Sequence, residues 1–212
     1  MKIILFISCF TILIHTVTAQ INKFTVGLEY SLSFSNVTSP FTFSEERFMV
    51  SHNAFIKSGY VLKTNLQLTF GGGFLNTRQF RSSELVGPQD VKKIESYRNH
   101  NYFVVPVGLQ YNFGSFYINP EVGIGIDMGH PVKQVTYFND GSIIELHGRI
   151  IFFQNNEITF PVFLNFGNEF DLGNWKILLG AKAYYSLSKI STGPMSLPEH
   201  YYGFGIVTGV KF

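Results

Sequence analysis

From Phe24 onward the chain alternates apolar residues with small or polar ones. Phe24, Val26, Leu28, Tyr30, Leu32 and Phe34 fall on one face, and Thr25, Gly27, Glu29, Ser31 and Ser33 on the other. Successive side chains of a strand point to opposite sides, so a period of two predicts a strand with one apolar face. The pattern returns along the chain. Leu62, Leu66, Leu68, Phe70 and Phe74 share a face, with Thr64 among them; Phe103, Val105, Val107, Leu109, Tyr111 and Phe113 follow. Phe116, Ile118, Val122, Ile124 and Ile126 lie opposite Tyr117, Asn119, Glu121, Gly123, Gly125 and Asp127. Ile158, Phe160, Val162, Leu164 and Phe166 form the next strand, then Trp175, Ile177, Leu179, Ala181, Ala183, Tyr185 and Leu187. The last carries Tyr202, Phe204, Ile206, Val210 and Phe212 against Gly203, Gly205, Gly209 and Lys211. An eighth strand is placed at Phe48, Val50, Ala54 and Ile56, with His52 on the same face. The runs reach the roughly 9–11 residues with which a tilted strand crosses a bilayer.

Connections alternate in length. Ser58-Gly59-Tyr60, Gly114-Ser115 and Leu172-Gly173 read as hairpin turns, whereas Ser35–Glu46, Leu75–Asn101, Gly129–Glu157 and Lys189–Glu199 read as long loops. Short turns on one side and long loops on the other predict a membrane barrel with both chain ends on the periplasmic side. Within the third long segment, Asn139-Asp140-Gly141 between β-prone runs predicts a hairpin projecting beyond the membrane.

Alternation alone also fits a soluble eight-stranded carrier of lipocalin type with its apolar face inward. The other face decides between them. It holds Gly27, Gly108, Gly123, Gly125, Gly167, Gly180, Gly203, Gly205 and Gly209 with Ser, Thr and Asn, and few charges. Small groups suit a narrow barrel interior, and the bulky face suits lipid. Composition agrees: 45% of residues are hydrophobic, 14% are charged, and Phe occurs 23 times. A net charge of +2 without a basic stripe argues against nucleic acid. Phe113, Phe116, Phe170 and Trp175, with Phe212, are expected to form an aromatic girdle at the periplasmic interface.

The first residues read differently. Lys2 precedes an apolar run from Ile3 to Ile14, and Val17-Thr18-Ala19 supplies small residues. This is the layout of a secretory signal, with cleavage expected after Ala19 and a barrel domain over 20–212. Cys9, the only cysteine, lies inside that leader, so the mature chain needs no disulfide.

Few residues offer chemistry. Glu29, Glu121, Glu169, Lys176 and Lys182 should point inward and pair, because a lone buried charge is costly. With Leu172-Gly173 as turn centre, Glu169 would lie opposite Lys176 and Lys182 opposite Phe163. No set of residues has the spacing of a catalytic, cofactor-binding or metal site, and no cofactor is expected. His100, His130, His147 and His200 fall in or beside loops, with Ser142 and Glu145 near His147. That is the material a lipid A-modifying enzyme would use, and it defines the enzymatic alternative. Arg78, Arg81, Lys92, Lys93 and Arg98 make the second long loop basic. Pro106, Pro120 and Pro161 fall inside strands, where each removes a ladder donor, so bulges or breaks are expected there.

The run Phe103-Val104-Val105-Pro106-Val107-Gly108-Leu109-Gln110-Tyr111-Asn112-Phe113-Gly114, the segment Phe116 to Asp127 and the closing Gly203 to Phe212 resemble small bacterial outer-membrane barrel domains of the OmpA/OmpX-like and PorT-like group. Ile158 to Gly167 repeats the strand-Pro-strand pattern. The closing Tyr202, Phe204, Ile206, Val210 and Phe212 resemble the terminal signal read by the barrel assembly machinery. The resemblance implies an eight-stranded antiparallel up-and-down transmembrane barrel, a monomer in contact with outer-membrane lipid and lipopolysaccharide. It carries over no functional residue. The role it implies is structural or a surface interaction with a ligand or protein, with a secretion-accessory role as a further alternative.

Overall fold

The computed structural model describes residues 23–38, 45–84, 90–150, 158–188 and 200–212, with side chains of the seventh strand described as far as Gly148. The expected leader with its cleavage point, and the loop placed at Lys189–Glu199, lie outside these residues. Among the described residues, eleven strands form one antiparallel sheet: β1 (Phe24–Thr38), β2 (Glu45–Arg47), β3 (Met49–Lys63), β4 (Leu66–Glu84), β5 (Val91–Phe113), β6 (Phe116–Phe138), β7 (Ile143–Ile150), β8 (Ile158–Thr159), β9 (Pro161–Leu172), β10 (Trp175–Ser186) and β11 (His200–Lys211). β8 and β9 both pair with β6 and form one barrel strand interrupted at Phe160. The ring then has eight members, and β11 pairs with β1 to close it. At the closing seam Val26 N donates to Phe212 O at 3.2 Å and Phe212 N to Val26 O at 2.8 Å.

The two faces of this ring are inverted relative to a water-soluble protein. Leu28, Leu32, Phe34, Val105, Val107, Ile124, Ile126, Phe204 and Ile206 are exposed, while Ser31, Ser33, Asn53, Thr69, Asn119, Glu121 and Lys182 are buried. Hydrocarbon is the solvent that makes such an exterior stable, and a closed ring leaves no unpaired strand edge in lipid. No helix among the described residues is long and apolar enough to cross a membrane. The exposed apolar belt on β5 runs from Phe103 to Phe113 and on β6 from Phe116 to Met128. Each strand has 23 residues, about twice the roughly 9–11 a tilted crossing needs.

The upper halves of β4, β5 and β6 therefore stand beyond the belt, flanked by β2 on β4 and β7 on β6. This five-stranded wall corrects the long loop expected over Leu75–Asn101. Its residues continue the β4–β5 ladder from Leu75↔Tyr102 to Glu84↔Lys93. The projecting hairpin forms, with Phe138 N bonded to Ser142 O at 3.0 Å around the Asn139-Asp140-Gly141 tip.

Two further expectations about connections need correction. The turn between β3 and β4 is at Thr64-Asn65, with Lys63 paired to Leu66, not at Ser58-Gly59-Tyr60; those three residues pair with Phe70, Thr69 and Leu68. Leu62 thus belongs to the strand of Phe48 to Ile56. The last tight turn is Gly173-Asn174, with Trp175 paired to Leu172. The prolines cause local gaps without register shifts. Pairing of β4 with β5 is absent between Phe70↔Val107 and Gly73↔Val104, beside Pro106, and that of β5 with β6 between Gly108↔Glu121 and Tyr111↔Ile118, beside Pro120. At Pro161 the strand is interrupted, but β8 and β9 keep one register along β6. A missing N–H deletes a ladder bond while the neighbouring pairs hold the strand in place.

Register does shift between Asn101 and Tyr102, which pair with Gly129 and Asp127. β6 carries the extra residue. Gly129 has φ of 109°, a conformation open to glycine at little cost. Asp127 Oδ1 accepts from Gly129 N at 2.6 Å, and Asn101 Nδ2 donates to Gly129 O at 3.2 Å. Below this bulge the even-numbered residues of β6 face lipid; above it they face the barrel axis.

Candidate functional site in the lumen and at the extracellular rim

The inward residues form layers, beginning at the end with the tight turns. There Glu169 meets Lys211 at 3.1 Å and Lys176 at 3.4 Å, and accepts from Gln110 at 2.6 Å. Lys176 also reaches Asp171 at 3.3 Å. The register corrects the expected pairing: Lys176 lies opposite Asp171, Glu169 opposite Leu178 and Lys182 opposite Asn165, because the turn is one residue further along than Leu172-Gly173. Glu169 and Lys176 meet diagonally instead.

In the next layer Lys57 bridges Glu29 at 2.9 Å and Glu121 at 2.7 Å, and Lys182 meets Glu29 at 2.6 Å. Glu121 also accepts from Asn119 at 3.0 Å and Asn165 at 2.9 Å. Lys182 lies 4.2 Å from the ring centre of Phe55 and 5.0 Å from that of Phe163, adding cation–π attraction in a dry setting. Two carboxylates and two ammonium groups make this layer neutral, so each charge is compensated where bulk water is largely excluded. The sequence reading left Lys57 and Lys211 out of the charge network. Lys211 alternates with the inward Gly209, and that was the available signal for it; Lys57 was hidden by placing the turn too early.

Above the ion pairs, Phe55, Phe163, Tyr184, Val104, Leu75, Tyr102, Tyr201 and Val37 pack into an apolar plug. Tyr102 stacks on Tyr201 with ring centres 5.1 Å apart. A cavity of about 40 Å³ among Glu29, Lys57, Gln110, Tyr117 and Lys211 has room for about one water molecule. The axis of the barrel is thus filled by side chains.

The wall beyond the apolar belt presents a second constellation. Glu95 accepts from Lys93 at 2.7 Å, Tyr97 at 3.1 Å and Tyr137 at 3.2 Å. The Lys93 hydrogen bond, with help from both phenols, holds the Glu95 carboxyl below the usual carboxylate range. Lys133 bonds Glu145 at 2.9 Å, and Arg47 bonds Glu45 at 2.7 Å while covering the Phe80 ring. The basic loop expected from Arg78, Arg81, Lys92, Lys93 and Arg98 is therefore strand: Lys93 is paired with Glu95, and Arg81 with Glu46 at 3.4 Å. His147 reaches Glu145 at 3.5 Å, but Ser142 is held by Asp140 at 2.6 Å. The elements of a Ser–His–acid relay are not brought together at this tip. His200 Nδ1–H donates to the Ser186 carbonyl oxygen at 2.9 Å, and the ring stacks on Tyr185. His52 faces lipid, where Tyr30 OH bonds its Nδ1 at 2.5 Å and meets its polarity locally.

At the opposite end, Phe113, Phe116, Phe170 and Trp175 are exposed, and Trp175 packs on Phe212 at 4.6 Å. Tyr202, Phe204, Ile206 and Val210 lie along the outer face of β11, beside β1.

No family model matches the sequence, and no curated protein matches it. Among solved structures, the attachment invasion locus protein Ail of Yersinia pestis is 12% identical, with 90% of this chain and 99% of that one covered and a TM-score of 0.48. The neisserial surface protein NspA is 10% identical over 89% and 95%, with a TM-score of 0.39. The outer membrane protease OmpT of Escherichia coli is 8% identical over 90% and 93%, with a TM-score of 0.44. Strand pairing and the exposure of the two faces, rather than these scores, define the class. The chain is an eight-stranded antiparallel β-barrel with an apolar exterior and a charge-compensated interior.

Proposed function

We propose that the protein resides in the bacterial outer membrane as a closed, non-channel barrel whose extracellular wall is the contact surface for a ligand or partner protein. The observation that carries this reading is the asymmetry of the two ends. One end finishes in two-residue turns at Thr64-Asn65, Gly114-Ser115 and Gly173-Asn174. The other carries strands of β4, β5, β6 and β7 well clear of the belt, where Tyr97, Tyr137, Lys93, Glu95, Lys133 and Glu145 offer aromatic and alternating charged groups to the outside. A filled axis leaves the rim as the working part of the molecule.

Cysteine labelling of intact cells tests this orientation. Asp140→Cys, at the tip of the wall, is expected to react with a membrane-impermeant maleimide added outside. Asn174→Cys, in a tight turn, is expected to react only after lysis. Labelling in the reverse pattern, or of both sites equally, contradicts the reading.

A further inference from the structure

The bulge in β6 does more than lengthen a strand. Asp127 lies below it and His130 above it, and the change of phase turns both toward the axis although they are three residues apart. His130 Nε2–H donates to Asp127 Oδ2 at 2.8 Å, while Asp127 Oδ1 is fixed by Gly129 N. That bond engages Nε2 and leaves Nδ1 as the ring nitrogen not used by Asp127. Nδ1 is buried and has no hydrogen-bond partner among the described residues. Beside His130 on β5 lies His100, 1% exposed, with its ring centre 4.6 Å from that of His130 and the two rings inclined at 59°. Neither ring nitrogen of His100 has a hydrogen-bond partner among the described residues, and the same holds for Oγ1 of Thr77, the cross-strand neighbour of His100.

Buried polar atoms are nearly always satisfied, and three neighbouring groups without partners mark a place where something else binds. The chemistry of the set is specific. An imidazole whose second nitrogen donates to a carboxylate is the arrangement that orients a histidine toward a metal ion. Neutral imidazoles favour zinc, copper and nickel over magnesium or calcium.

We propose that the extracellular end of the lumen, above the Tyr102–Tyr201 stack, binds a divalent first-row transition metal ion through the imidazoles of His100 and His130. Asp127 acts on the ion through His130 as an orienting carboxylate. No three His, Cys, Asp or Glu side chains among the described residues form a complete ligand set. The remaining coordination positions fall to water, with Thr77 the direct cross-strand partner of His100. Arg98, two residues up β5 from His100, adds positive charge nearby and lowers the affinity expected for a cation.

The test uses the full-length protein extracted in detergent, stripped with a chelator and titrated with zinc chloride. One saturable equivalent is expected. His100→Asn and His130→Asn should each weaken it by at least about 10-fold, and Asp127→Asn, which leaves both imidazoles in place, by about 10–100-fold. His147→Ala and His52→Ala, at exposed positions, should leave the equivalent unchanged. X-ray absorption at the zinc edge of the unsubstituted protein should show two imidazole ligands, a result that does not depend on any variant folding. Absence of saturable binding, a spectrum with fewer than two imidazoles, or loss of the equivalent in His147→Ala or His52→Ala overturns the proposal.

Discussion

Replacing Lys57 by methionine is expected to cost the folded barrel about 3–5 kcal/mol, the range for removing one partner of a buried ion pair. Lys57 is the cation shared by Glu29 and Glu121, and the Glu121 side chain is only 1% exposed. Without the ammonium group, Glu121 keeps only the uncharged donors of Asn119, Asn165 and Thr69, and the layer acquires a net negative charge. The desolvated carboxylate, more than the lost contact, sets the size of the effect. Adding Glu121→Gln to Lys57→Met restores neutrality and should recover a substantial part of the loss. Lys176→Met is the contrasting case. Its side chain is 42% exposed, Glu169 retains Lys211, and a change within about 1 kcal/mol is expected. Urea midpoints in detergent, with folded and unfolded forms separated by gel mobility, measure all three. A Lys57→Met loss no larger than that of Lys176→Met would contradict the assignment of Lys57 as the keystone of the lumen.

The second large effect is expected at the closing seam. Gly205 of β11 is the direct partner of Ser33 of β1. A Cβ at Gly205 would lie inside the contact distance of the Leu32 carbonyl oxygen and 2.5 Å from the Ser33 Cα. Both obstacles are backbone, so neither rotates away. Gly205→Val therefore has to separate the first strand from the last. Its cost is expected at or above the top of the roughly 1–3 kcal/mol typical of overpacking. The expected result is a protein that no longer shows the compact, heat-modifiable band. Gly148→Ala, where an added Cβ meets nothing within 4 Å, is the matched control and should behave as the unsubstituted chain. A compact band at ordinary yield for Gly205→Val would show that the seam is looser than its geometry indicates.

Much of this architecture is legible in the sequence because lipid imposes a simple rule on every crossing strand. Phe103 to Phe113 and Phe116 to Ile126 alternate without exception in what they show to hydrocarbon, so their number, span and faces follow from a period of two. Where lipid ends, the rule ends with it. Asn76 to Ser82 is strand, but both of its faces meet protein or water, and its polar alternation resembles a loop. Turn position is a finer matter. Ser58-Gly59-Tyr60 has the composition of a turn, yet Tyr60 pairs with Leu68 and the chain reverses at Thr64-Asn65. A misplaced turn shifts cross-strand partners, and Lys57 was lost from the lumen for that reason. The bulge at Asp127–Gly129 is harder still. Sequence spacing puts Asp127 and His130 on opposite faces of a regular strand, and only the extra residue brings them together beside His100.

Brominated-lipid quenching tests the inside-out arrangement most directly. In a Trp175→Phe background, a tryptophan at Ile206, 63% exposed on the outer face of β11, is compared with one at Phe163, 4% exposed within the lumen. Strong quenching of Ile206→Trp with little quenching of Phe163→Trp is the predicted result. Equal quenching, or stronger quenching of Phe163→Trp, would mean that the faces are reversed or that the barrel does not sit in the bilayer.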